Sequence, residues 1–232
     1  YKKDGWIFRA FHKRIFRAPT LNDLYYTLVG NTKLNPEYTS QWDAGIDYKG
    51  KRFHFAVDGY YNHIDDKIVA IPMKCQFRWS MVNFGKVKSY GASFSGGYNQ
   101  DWGKFSLAAN ANYTYQIDKD YTMPSDPEYK NYIPYSPMHS GSVILDLGYD
   151  SYSLCTSFLY TGERFALVSN NADDLLGDWY TIDLKLNKRF KIGKHVLQTT
   201  LECNNLADSR HEVVKRYPMP GRNWKCTVKF EL

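Results

Sequence analysis

No stretch of 18 consecutive apolar residues occurs anywhere in the 232-residue chain, so a helical membrane span is excluded. Cysteine is sparse. Cys75, Cys155, Cys203 and Cys226 are far apart with no CxxC spacing, which argues against a metal knuckle or a redox pair and leaves them as isolated small hydrophobes. There is no block of one charge sign: the formal net charge is +6, and its Lys and Arg residues are scattered, so nucleic acid is not an expected partner. No HExxH, GxSxG or Walker element is present, and His12, His54, His63, His139, His195 and His211 are dispersed. That pattern disfavours an enzyme, although residues assembled across strands can escape a linear search. The chain opens YKKDGWIFRAF, without an initiator Met or signal segment, as a mature export product or a fragment would.

What the sequence does have in excess is aromatic residues. Its 20 Tyr, 13 Phe and 6 Trp make 17% of the chain, yet the mean hydropathy is −0.55, that of a polar protein. A transmembrane β-barrel satisfies both, because lipid-facing and lumen-facing residues alternate and aromatic girdles mark the two interfaces. The alternation is explicit near the end of the chain, where Trp224, Cys226, Val228, Phe230 and Leu232 share one face and Lys225, Thr227, Lys229 and Glu231 the other. It recurs in YTIDLKLNKRF (180–190) and in QWDAGIDY (41–48). Noisier strands are predicted near 5–14, 52–66, 84–99, 103–116, 139–149, 152–163 and 194–204, ten in all.

Many of these segments have 10–15 residues, more than the five or six of a typical soluble strand and enough for a tilted strand to cross a bilayer. Short links near 49–52, 99–103, 150–151 and 190–194 alternate with long ones near 15–38, 67–83, 117–138, 164–178 and 205–222. Outer-membrane barrels alternate short periplasmic turns with long extracellular loops in this way, and a soluble sandwich has no reason to. Asp43, Asp47, Asp58, Asp146, Asp183, Lys185 and Glu202 fall on the predicted interior face, where a wet or plugged lumen tolerates charge and a dry core does not.

Six segments carry a resemblance to a known family: FRAPTLNDLYY (16–26), GNTKLNPEYTSQWDAGIDY (30–48), NFGKVKSYGASFSGGY (83–98), IPYSPMHSG (133–141), LECNNLADSR (201–210) and PMPGRNWKCTVKFEL (218–232). In this order the chain resembles the C-terminal barrel portion of the TonB-dependent outer-membrane receptors over essentially its whole length. The family's C-terminus often ends in an aromatic residue, whereas here Phe230 is followed by Glu231 and Leu232. The resemblance implies an all-β, antiparallel transmembrane barrel fragment: about ten strands of a 22-stranded barrel across residues 1–232, without the plug domain.

The resemblance further implies the bacterial outer membrane and ligand-gated uptake of a scarce bulky nutrient, an iron-siderophore or cobalamin. Haem ranks lower, because the loop that supplies a ligand histidine in haem-transporting relatives corresponds to 20–34, which contains no His. Its implied partners are the lipid bilayer and a TonB-type energy transducer acting through the missing plug, with room for an accessory surface lipoprotein; it implies no cofactor. Pro19 is expected to end the first long strand, and Asn35–Pro36 to return the chain into the next.

Ligand-contact candidates follow from loop chemistry. Tyr25 and Tyr26 lie in the first loop, Arg78 and Trp79 in the Met- and aromatic-rich 67–83 link, and Tyr129, Tyr132 and Tyr135 in the Pro- and Tyr-rich 117–138 link, where stiff tyrosines bind at low ordering cost. NNADDLLGD (170–178) lacks the regular ligand positions of a calcium loop and is expected to be a solvated loop. Two alternatives make structural predictions. A complete ten-stranded barrel enzyme, such as a rim protease, would pair the strand near 5–14 with that at 223–231. A soluble sandwich would bury Trp42, Leu184 and Val228.

Overall fold

The computed structural model describes residues 2–72 and 78–231. Ten long strands form one antiparallel sheet in chain order: β1 (Trp6–Arg17), β2 (Glu37–Lys49), β3 (Phe53–Pro72), β4 (Trp79–Trp102), β5 (Phe105–Asp120), β6 (His139–Tyr149), β7 (Tyr152–Thr161), β8 (Trp179–Ile192), β9 (His195–Asn204) and β10 (Asn223–Glu231). A two-residue strand, Lys2–Lys3, extends the sheet beside β1. Each consecutive pair of long strands is a hairpin or a loop-linked antiparallel neighbour, so the sheet is a meander. The sheet is open among the described residues, with β1 and β10 unpaired to one another. The ten-stranded closed barrel is therefore not formed.

The register sorts side chains into two faces. Across β1 to β5, Arg9, Gly45, Asp58, Ser93 and Thr114 are successive cross-strand partners, and the row continues through Ser140 and Thr161. The charged residues expected on the interior share this face, and several are paired: Arg9 bridges Asp47 and Asp58, each at 2.7 Å, and Lys185 and Lys225 lie 3.2 and 3.6 Å from Glu202. Gly45 makes the Arg9–Asp58 contact possible, because a Cβ there would collide with the Asp58 carboxylate. The opposite face is apolar and open: Trp42 is 46% and Val228 64% exposed, which rules out the sandwich, where both would be covered.

Rings concentrate at the two ends of the apolar face. Trp6, Tyr48, Phe53, Phe55, Trp102, Phe105, Tyr149 and Tyr152 flank the short turns, and Trp6 packs on Tyr48 and Phe55 at 4.8 and 5.7 Å. Eight residues away, Tyr61 follows Phe53, Tyr113 follows Phe105 and Tyr160 follows Tyr152. Eight residues of strand tilted by about 40° rise roughly 20 Å, close to the apolar band of an outer-membrane barrel.

Two expectations need correction. The link placed at 67–83 is mostly strand: β3 has 20 residues and β4 has 24, and they remain paired to Pro72 and Trp79. These strands project far beyond the 9–11 residues a bilayer needs. A left-handed residue, Asp66 (φ 56°), interrupts the period-two pattern where the extension begins, so alternation gave no sign of it. The second correction concerns 170–178, which is no simple solvated loop: Asp174 is buried and ion-paired with Lys215 at 2.8 Å.

The principal buried cluster lies in the projecting part of the wall, not at its centre. Ile64, Phe84, Val87 and Ile133 pack together with Val69, Ile71, Val82 and Val168 around them. It joins the tall β3–β4 hairpin to the loops that follow β5 and β7.

Candidate functional site

The long connections all leave the same end of the sheet, and their backbones are tied together. The first carries a one-turn helix, α1 (Leu21–Tyr25), closed by a reciprocal capping box between Thr20 and Asp23. Hydrogen bonding from the Thr20 backbone, followed by the Thr20 hydroxyl and Arg17, holds the Asp23 carboxyl below the ordinary carboxylate pKa against the opposing effect of burial. The Asn31 side chain donates to the Met81 carbonyl, and the Met81 N–H donates to the Val29 carbonyl, so this loop docks on β4.

The loops after β5, β7 and β9 form a second unit. Tyr132 N–H donates to the Asn170 side chain, which donates back to the Tyr132 carbonyl, and Asn131 donates to the Val168 carbonyl. Lys215 reaches Asp174 and the Asp173 carbonyl. At the centre is Arg164, only 4% exposed, whose guanidinium donates to the carbonyls of Gly177, Glu212 and Val213. No carboxylate neutralises it among the described residues, and burial pushes its pKa down from the usual arginine range.

Beneath these loops is a cavity of ≈380 Å³ lined by Trp79, Tyr135, Arg164, Trp179, Val213 and Val214, with Val69, Ala70, Pro134, Pro137 and Thr161 completing its walls. A neighbouring apolar recess of ≈420 Å³ shares Trp79, Val213 and Val214 and adds Tyr217 and Met219. Trp79 and Tyr135 rings approach to 5.5 Å. Burial raises the Tyr135 phenol pKa, while its hydroxyl accepts from the Lys215 backbone N–H. Trp179 stacks on His211 at 4.3 Å, and its buried Nε1 has no acceptor among the described residues. Aromatic faces, a buried cation and an unused donor make a recess suited to a ligand with an apolar body and oxygen acceptors.

Of the seven contact candidates, the structure brings only Trp79 and Tyr135 into this cavity. Tyr25 and Tyr26 stand on the first loop, 67% and 63% exposed, and Arg78 is exposed beside β4. Tyr132 pairs opposite Lys119 at the sheet edge and lies under that ammonium, 4.5 Å from ring centre. Tyr129 packs edge-on against Tyr121. Arg164, Trp179 and the Val213–Val214 wall were not singled out from the sequence. Trp179 opens a well-patterned strand and carried a usable signal, whereas nothing local marks Arg164. Among the described residues no group of three or more His, Cys, Asp or Glu is arranged to hold a metal ion.

Comparison with known proteins matches residues 1–206 to the family described as TonB dependent receptor-like, beta-barrel. The vitamin B12 transporter BtuB of Vibrio vulnificus is 23% identical over 220 residues, covering 93% of this chain and 33% of that protein. The BtuB of Photobacterium profundum is 27% identical over 86 residues, 36% of this chain and 14% of that protein. Among solved structures, the ferric citrate transporter FecA superposes with a TM-score of 0.73 at 15% identity, over 97% of this chain and 35% of that one. The copper transporter OprC gives 0.71 at 16% identity, over 98% and 38%. The chain thus spans at most about a third of the curated relatives it matches, and the structural likeness is one of fold.

Proposed function

Because the chain belongs to the TonB-dependent receptor β-barrel family and hence to the outer membrane, we propose that it is the C-terminal stretch of the barrel wall of a receptor for ligand-gated uptake of a scarce bulky nutrient. An iron-siderophore or cobalamin is the cargo class, with haem less favoured for want of a histidine between Thr20 and Leu34. The remaining strands would close the barrel onto β1 and β10. An N-terminal plug, engaged by a TonB-type transducer, would couple ligand binding to opening. Membership of a receptor family, not an enzyme family, leaves the loops a task of recognition and the strands that of a wall.

The observation that carries this reading is the recess below the tied loops, where Trp79, Tyr135, Trp179 and Arg164 converge at the end of the sheet bearing the long connections. Its loops are hydrogen-bonded to one another in the absence of any ligand, which lowers the ordering cost of binding. The test is binding of ferric siderophores and of cyanocobalamin to the full-length protein, followed by tryptophan fluorescence, with Trp79→Ala and Tyr135→Ala as variants. Saturable binding of one cargo, weakened about tenfold or more by either variant, is expected. Unchanged affinity in both variants would remove this recess from the recognition site.

A further inference from the structure

The recess beside the Arg164 cavity offers a ligand almost nothing polar. One wall is a short hairpin in the last long loop, Glu212–Val214 paired with Tyr217–Pro218. Arg216 turns its tip in the left-handed conformation, φ 68°. The polar groups of this hairpin are already committed. Lys215 Nζ donates to Asp174 and to the Asp173 carbonyl, the Arg216 N–H donates to the Glu212 carboxylate, and the Glu212 and Val213 carbonyls accept from Arg164. What is left to line the recess is Val213, Val214, Tyr217 and Met219, together with Trp79 from the top of β4. Val213, Tyr217 and Met219 remain exposed, and contiguous exposed apolar side chains mark a binding surface.

The recess and the cavity meet at Trp79, Val213 and Val214, which line both. Their chemistry differs. On the cavity side, the Trp179 Nε1–H is buried with no acceptor among the described residues. Buried donors are normally paired, so this one calls for an acceptor that the ligand brings. Arg164 adds a positive field without a free hand, since both its terminal nitrogens donate to carbonyls. On the other side, ≈420 Å³ of apolar space accommodates a chain on the order of ten methylenes, each about the size of a water, roughly 30 Å³. A polar body placed there would lose its water and gain no hydrogen bond.

Resting on the reading of this site as the place of cargo recognition, we propose that the cargo is an amphiphile. Its oxygen-bearing head lies against Trp179 in the field of Arg164, and its hydrocarbon chain lies among Trp79, Val213, Tyr217 and Met219. Within the cargo classes named above, this selects a chelate that carries a fatty acyl chain.

The test uses the full-length protein in lipid nanodiscs and dodecanoate bearing a terminal diazirine, photolysed and mapped by mass spectrometry. Label is expected within 213–219. Unlabelled dodecanoate should compete at least about tenfold better than octanoate, because each methylene buried from water adds up to about fourfold in affinity. Val213→Asp/Met219→Asp should reduce the label about tenfold, while label on the lipid-facing strands, from probe dissolved in the bilayer, stays constant. Equal label in that variant, or no preference for the longer competitor, would overturn the chain site. Label confined to the lipid-facing strands would overturn it too, and would mean that another part of the receptor fills the recess. Cargo recognition is read separately, from ferric siderophore and cyanocobalamin binding in Trp79→Ala and Tyr135→Ala. Cargo binding weakened by those variants without chain label would overturn the amphiphile alone. Chain label beside cargo binding that neither variant weakens would support the chain site and overturn the cargo reading.

Discussion

Arg164 shows how much of the loop architecture depends on one side chain. Its buried guanidinium caps carbonyls from two separate loops, and an unpaired buried carbonyl costs about 1–3 kcal/mol. Arg164→Ala is therefore predicted to release residues 205–222 while the sheet persists. Limited proteolysis should show new cleavage in that segment with little change in the melting of the barrel; an unaltered digestion pattern would contradict the assigned role. Asp23 supplies a pH-dependent counterpart. Its pKa is depressed in the folded loop, so its contribution to stability is complete above the ordinary carboxylate value near 4 and is lost as pH falls through the lower, folded value. Hydrogen exchange around α1 should accelerate on acidification, and Asp23→Asn should abolish that dependence while leaving exchange fast at neutral pH.

At the level of elements, the two faces of a strand make opposite demands. Leu145 lies on the apolar face of β6, between Ala109 and Thr156, and its neighbour Ile144 faces the lumen opposite Asn110 and Ser157. Leu145→Arg is predicted to cost about 2–4 kcal/mol in urea unfolding from bilayers, and Ile144→Arg much less. Equal costs would contradict the face assignment. This parity was legible in the sequence because period-two alternation survives wherever one side meets lipid and the other water. The same alternation located all ten strands and the short turns. It failed at the tops of β3 and β4, where Asp66 breaks the phase and apolar residues pack from both sides. The site was less legible for a related reason: Trp79 and Tyr135 declared themselves as loop aromatics, but Arg164 and Trp179 acquire meaning only when loops distant in sequence meet.

At the scale of the whole molecule, the described residues form a wall of strands with two open edges. Unpaired strand edges are not tolerated in hydrocarbon, so on the proposed reading further strands of the same barrel cover them. The central claim is that one surface of this wall faces lipid and the other a wet lumen. It is tested most directly by a nitroxide scan of β8, residues 179–192, in the full-length protein with its native cysteines replaced and reconstituted in bilayers. Collision with oxygen should peak at Tyr180, Ile182, Leu184 and Leu186, and collision with a water-soluble nickel chelate at Thr181, Asp183, Lys185 and Asn187. Loss of that alternation, with all eight positions reporting the same environment, would contradict the account.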